Sequence, residues 1–447
     1  MKKKTESLKV LVIAANPFSD INNNGKTLKS IFCEFNKKSL CELYFRPQDN
    51  SIGDGEFAES YYAVSESDII NSIFTFSKVC GSQQFLGKSS IVKDTSLSKS
   101  QRYFEKHSIK NVKILRRFLW KTRKWDTKDL HEWLDKCSPN LIFSLVGGVG
   151  PLFTLSEEIS RWLNIPLVVY FTDDYLIHTN DNGVYSHSSH KKNIEAYSRL
   201  IGMASRCYCI GTQMCEEYGQ FFNTTFFPIM NSVDILPYVP KEKMSNPIII
   251  SYFGGLSLGR WEMISRLSEV VKDDAVIKVY TAHEITKEIH KAFDRNNIQF
   301  CGKVIGEELE KERQNCDFLL HVENDKKLYR EKTALSISTK IPESLMQSRP
   351  LLCYGPTEIA SMQLIQKNGL GVFISSEKNI QEQRNDFVQA VTDKKKIKDI
   401  IENAYQFACN HFDKHVVSKQ LKRELTDLVI IHSKNTNDGS FFYNCII

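Results

Sequence analysis

No stretch of this 447-residue chain approaches the roughly 20 consecutive apolar residues that span a bilayer, so a membrane-crossing helix is excluded. The basic start, Met1-Lys2-Lys3-Lys4, leads into the short run Leu8 to Ala15, which ends at Asn16-Pro17 without a small-residue cleavage site. That run reads as a first strand rather than a signal peptide. The twelve cysteines contain no C-x-x-C pair; Cys207 and Cys209, two apart, fall on one face of a strand. Scattered spacing of this kind excludes a zinc-ribbon pattern and a disulfide framework, and fits reduced thiols. A P-loop is also missing. Gly25-Lys26-Thr27 has Asp20, not Gly, five positions before Gly25, so G-x-x-x-x-G-K fails.

Charge is in excess in only one place. The chain carries a net charge of +6, and segment 99–136 holds twelve Lys/Arg against five Asp/Glu, which is +7 and leaves the remainder near −1. Within it, Arg116-Arg117-Phe118-Leu119-Trp120-Lys121 and Arg123-Lys124-Trp125 interleave cations with aromatics. Such a segment is either a solvated basic helix or a helix lying on an anionic lipid surface. No nucleic-acid-binding motif accompanies it.

A hydrophobic content of 41% and a charged content of 25% describe a globular chain, and its length implies two or three domains. Lys9 to Ala15 and Leu141 to Val146 are continuous apolar runs, as in parallel strands buried on both faces. Leu40 to Phe45, Pro166 to Phe171 and Arg206 to Ile210 are further strands. Helices are expected from about Leu152 to Leu163, Lys192 to Ala204 and Thr212 to Phe221. Residues 49–100 are Ser-rich and are expected to hold loops and short helices. Four prolines at 228, 237, 240 and 247 mark a linker. The alternation then restarts, with strands Ile248 to Phe253, Ala275 to Thr281, Ile298 to Cys301, Phe318 to Val322 and Pro350 to Tyr354, and a helix Arg260 to Val271. The stretch Ile380 to Ile431 is helical. This β-α-β-α order predicts an α/β protein with two Rossmann-like, doubly wound parallel-sheet domains, 1–237 and 238–410. A C-terminal helix and tail, 411–447, is expected to pack back on the first domain.

In open α/β sheets, ligands bind outside the carboxyl ends of the strands. Four strand-end loops meet that condition, and a helix start adds a further candidate. Gly25, with Lys26, opens a helix after the first strand: an anion site or an ordinary turn glycine. Gly147-Gly148-Val149-Gly150 reads first as close packing. Asp173-Asp174 could hold a sugar hydroxyl, accept a proton, or cap a turn. Gly254 and Gly255 let a backbone approach a phosphate, and Arg260 could fork onto it or stack on Trp261. Last, Ser338-Thr339-Lys340-Ile341-Pro342-Glu343 places a Lys and a Glu three apart on one helix face. That pair suits a ligand with a phosphate end and a polyol end, or is a surface ion pair on a capped helix.

Taken together, Ser338 to Glu343, Arg349-Pro350, Tyr354-Gly355-Pro356, Gly254-Gly255-Leu256 with Arg260-Trp261, and Asn16-Pro17-Phe18-Ser19 with Gly25-Lys26-Thr27 resemble bacterial glycosyltransferases of the family 4 type, with the GT-B fold. The resemblance runs in order from residue 9 to about 425. It implies two Rossmann-like domains facing across a cleft, the second holding a nucleotide-diphosphate sugar and the first an acceptor that is lipid-linked or a polysaccharide. Arg260 and Lys340 would stabilise the leaving diphosphate, and Glu343 would bond the ribose. Gly254 and Gly255 would lie along the phosphates, and Gly25 and Lys26 would border them. Asp173 or Asp174 would lie near the acceptor or the sugar. Retention of configuration, no cofactor, no metal, and a cytoplasmic place, peripheral on the inner face of the cell membrane through 99–136, are further implications, in the service of cell-surface polysaccharide or lipopolysaccharide assembly. One departure stands out. Where the family has the first Glu of E-x7-E, this chain has Leu335, with Glu323 or backbone groups as replacements. A non-catalytic GT-B-like scaffold subunit is the alternative that this departure supports.

Overall fold

The computed structural model describes residues 7–20, 23–45, 57–75, 80–84, 119–178, 187–296 and 298–437. Contacts divide the chain into two units, Met1–Ile229 with His415–Ile447, and Met230–Lys414.

The first unit is built on Val10–Ala14 (β1), Leu40–Tyr44 (β2), Ser60–Ala63 (β3), Ser82–Gln84 (β4), Leu141–Val146 (β5), Leu167–Phe171 (β6), Arg206–Cys209 (β7) and Phe226–Pro228 (β8). Their order across the sheet is β4-β3-β2-β1-β5-β6-β7-β8. All pairs are parallel except β3 with β4. Every residue of β1, β2, β5 and β6 is buried, which is why β1 and β6 read as unbroken apolar runs, while β2 and β5 carry the buried polar residues Glu42 and Ser144. The strand order reverses between β1 and β5, so the loops after these two strands flank the switch point, where open sheets bind ligands. Helix Pro151–Leu163 follows β5 with Pro151 in its first turn, where a missing N–H costs nothing, and ends at Asn164 in the left-handed region.

The second unit is built on Ile248–Phe253 (β9), Ala275–Tyr280 (β10), Ile298–Gly302 (β11), Phe318–Val322 (β12), Leu351–Gly355 (β13) and Gly371–Ser375 (β14). Its order, β11-β10-β9-β12-β13-β14, is all parallel and follows the 3-2-1-4-5-6 Rossmann pattern. The switch point lies between β9 and β12. One core, from Ile250 and Met263 to Ile374 and Phe387, packs this sheet against its helices.

The last helix, Lys414–Asn437, joins the first unit from His415 onward. The backbone N–H of Glu34 donates to Ser418 Oγ at 3.0 Å, Arg206 pairs with Glu424 at 3.1 Å, and Leu421 and Leu425 are buried.

Two expectations need correction. Strands β3, β4 and β14 carry no clear sequence signal: β3 and β4 lie in the Ser-rich stretch, and β14 starts on a glycine. The cation–aromatic pattern is not a lipid-facing stripe where it is described. Trp120 and Trp125 are both 2% exposed, and Trp125 Nε1 donates to the Trp120 carbonyl at 3.2 Å. These rings are core residues, held there by the apolar area they remove from water. Residues 99–118 of that segment lie outside the described residues. Among the described residues, no helix is long and apolar enough to cross a membrane.

Candidate functional site

At the switch point of the second unit, β9 ends in a backbone turn that only glycine adopts easily. Gly254 has φ +156°, and its N–H donates to the Tyr280 carbonyl at 3.0 Å. A β-carbon at Gly254 would fall on Lys340 Nζ. The ammonium therefore occupies the space that a side chain at 254 would fill. Lys340 reaches there from the first position of the short helix Lys340–Leu345 and lies 5.7 Å from the centroid of the Tyr252 ring. Among the described residues no carboxylate comes within ion-pair distance of its Nζ. Burial, with the Arg260 guanidinium next in importance, pushes its pKa down to about 8.

Arg260 starts the helix Arg260–Val271 and points to Glu323, which follows β12, at 3.1 and 3.3 Å from the two carboxylate oxygens. It does not stack on Trp261 as its main contact. Glu323 is 3% exposed and His321 lies 3.7 Å from it. His321 Nε2 is 3.1 Å from Ser361 Oγ, and burial drops its pKa to about 4, so the ring is neutral near pH 7. Asn324, buried beside them, donates to the Gly259 carbonyl at 2.7 Å and fixes the turn before Arg260.

Glu343 does not pair with Lys340, although the two share a helix face. Arg313 holds it at 2.7 Å and also bonds Glu310 at 2.8 Å. The Glu343 side chain remains about a third exposed. Together Ser251, Arg260, Arg313, His321, Ser338 and Lys340 line a narrow cavity of about 30 Å³. Ser251 Oγ is buried there with no hydrogen bond of ordinary geometry among the described residues. The structure thus brings Gly254, Arg260 and Lys340 together, with Glu343 joined to them through Arg313.

Two residues of this neighbourhood had little or no sequence signal. Glu323 follows a strand, and only its position at a carboxyl end marks it. His283 was missed: its ring packs on Gly255, and Nδ1 accepts from Leu256 N–H at 3.4 Å. A single exposed histidine after β10 resembles any surface histidine in sequence. Leu335, where the family has a glutamate, is fully buried.

The remaining candidates lie in the first unit. Gly25 is buried in helix Asn23–Ile31, where a β-carbon would collide with the Pro17 carbonyl and with Ser19. Packing alone thus requires glycine there. The Lys26 side chain is exposed. Asp174 is 2% exposed and receives the N–H groups of Leu176, Ile177 and His178 at 2.7–2.9 Å and the Tyr218 hydroxyl at 2.9 Å. Three of these donors reach Oδ1 and one reaches Oδ2, so Asp174 chiefly builds the turn. Asp173 is half-buried, 3.5 Å from the Tyr175 hydroxyl. Tyr175 itself is 46% exposed and packs on Gly147 and Gly148.

Neither a protein-family model nor a curated protein sequence matches this chain. Solved structures do. HepE from Anabaena, in complex with UDP and glucose, is similar at TM-score 0.61 and 15% identity over 94% of this chain and 100% of that one. A glycosyltransferase from Rickettsia africae is similar at 0.60 and 10% identity, over 95% and 99%. WaaG, a glycosyltransferase involved in lipopolysaccharide biosynthesis, is similar at 0.53 and 12% identity, over 93% and 99%. At such identities the likeness is one of fold, and the fold, two Rossmann-like parallel-sheet units, is GT-B.

Proposed function

We propose that this chain is a glycosyltransferase of the family 4 type that moves a sugar from a nucleoside-diphosphate sugar to a saccharide or lipid-linked acceptor. One observation carries the reading. A lysine ammonium with no carboxylate at ion-pair distance among the described residues sits beside Arg260, over a glycine, at the switch point of a Rossmann sheet. A partly dehydrated cation of this kind is stabilised by an incoming anion, and a diphosphate brings the charge. Breaking a glycosyl–phosphate bond adds negative charge to the leaving diphosphate. Lys340 and Arg260 are fixed in advance to meet it, so the protein's own cations take the part of a metal. Arg313 holds the Glu343 carboxylate ready for the ribose hydroxyls. Glu323, already bound by Arg260, stands in for the family glutamate that Leu335 replaces. Asp173 is the first-unit residue assigned to the acceptor side. The HepE structure with UDP and glucose agrees with a uridine donor.

The test has two parts. Melting temperature is followed against uridine, guanosine, cytidine and adenosine diphosphates, and turnover is followed with the matching labelled sugars. One nucleotide should raise the melting temperature, and Arg260→Ala and Lys340→Ala should each lower turnover by about 100-fold or more. Near-normal turnover in both variants would remove the site. The buried Leu335 favours a second reading, a binding subunit without catalysis: a diphosphate-dependent rise in melting temperature with no transfer from any donor would select it.

A further inference from the structure

A cluster of metal-ligating side chains lies in the first unit, apart from the donor site. Cys33 and Glu34 follow the helix Asn23–Ile31, in the turn before β2, and His415 lies one residue into the last helix. One ligand atom from each of the three lies within 4.8 Å of the others, and His415 Nδ1 is 2.6 Å from a Glu34 carboxylate oxygen. The turn is clamped by the helix it faces. Glu34 N–H donates to Ser418 Oγ at 3.0 Å, and Lys422 Nζ donates to the Glu34 carbonyl at 2.8 Å. Two consecutive residues on one side and a helix-start imidazole on the other are thus held in register by backbone bonds that do not involve the ligand atoms.

We propose that Cys33, Glu34 and His415 form a zinc site that fastens the last helix to the first unit. The donor set selects the metal. A thiolate, an imidazole and a carboxylate suit zinc, whereas magnesium and calcium take oxygen ligands. Zinc bonds of about 2.0–2.3 Å put tetrahedral ligand atoms about 3.5 Å apart, within reach of the observed spread after small rotamer changes. On binding, the Cys33 thiol gives its proton to solvent and its sulfur lone pair to the metal. The His415 Nδ1 proton passes through solvent to Nε2, so that Nδ1 exchanges its hydrogen bond to Glu34 for a metal bond; Glu34 binds as carboxylate, and water completes the fourth position. Lys419 and Lys422 face Glu34 from the same helix, with His415. The two anionic ligands, thiolate and carboxylate, together balance the zinc. An exposed fourth position matches a helix start at the surface.

The experiment uses the full chain, reduced and freed of metal by a chelator. Zinc chloride is titrated by calorimetry, cobalt(II) by absorption, and melting temperature is followed with and without zinc. The expected result is one equivalent of zinc lost on Cys33→Ser and on His415→Gln, and a thiolate-to-cobalt charge-transfer band that disappears in the same variants. Glu34→Gln should weaken binding by about tenfold or more, and Cys301→Ser, at an exposed thiol outside the cluster, should leave it unchanged. Metal-free melting temperatures of the variants, close to that of the parent chain, show that they fold. No zinc uptake at micromolar concentration, an unchanged equivalent in Cys33→Ser, or a cobalt spectrum without the thiolate band would overturn the proposal.

Discussion

The ammonium of Lys340 lies where the β-carbon of residue 254 would be, and Gly254 makes that place available. A residue at the start of the short helix before β13 therefore depends on a missing side chain after β9, across the line where the strand order reverses. Gly254→Ala should displace the ammonium without disturbing the sheet, and its φ of +156° adds strain. A lost charge-assisted contact is worth about 1.5–3 kcal/mol, so diphosphate affinity should fall by about ten- to a hundredfold. Calorimetric titration with uridine diphosphate measures it.

The depressed pKa of Lys340 sets a pH dependence with a definite sign. Below pH about 8 the free protein already carries the ammonium. Above it, binding an anion must also take up a proton, so affinity should drop by about tenfold per pH unit. Stability should move the other way. Between about 8 and the ordinary lysine value the unfolded chain holds more of this proton than the native one, so this group adds stability as pH rises through that window. Lys340→Met should abolish both slopes, which parallel titrations and melts would record.

Asp173 and Asp174 are neighbours with different work. Removing the Asp174 carboxylate leaves three N–H groups and a buried hydroxyl without their acceptor. At about 1–3 kcal/mol for an unsatisfied buried group, Asp174→Ala should cost about 3 kcal/mol or more in denaturant unfolding. Asp173→Asn should stay within about 0.5 kcal/mol of the parent chain, so any loss of transfer in that variant is an effect on the site.

Trp120 and Trp125 yield a prediction about folding rather than lipid. Trp120→Ala should destabilise the protein by about 3–5 kcal/mol, the usual cost of emptying a buried tryptophan site. Anionic vesicles should leave the fluorescence of a variant that retains only these two tryptophans unchanged.

Leu141–Val146, Ile248–Phe253 and Phe318–Val322 were readable to the residue because short runs dominated by large apolar residues stand out between turn signals. Ser60–Ala63 and Gly371–Ser375 were not, since four or five residues starting on Ser or Gly give no periodicity to detect. Lys340, Arg260 and Gly254 were legible as candidates because strand-end loops are where open α/β sheets bind ligands. Their partners were not: nothing local says that Glu343 turns to Arg313 or that Arg260 turns to Glu323.

The order of strands and helices, and hence the two Rossmann-like sheets, was determined by the sequence itself, because burial periodicity is a property of neighbours along the chain. Which charges meet was decided by the tertiary structure alone. Glu34 and His415 stand 381 positions apart, and Lys340 reaches its place only over a bare α-carbon in the turn after β9. Electrostatics acts through space, and the distances that set it exist only once the chain has folded.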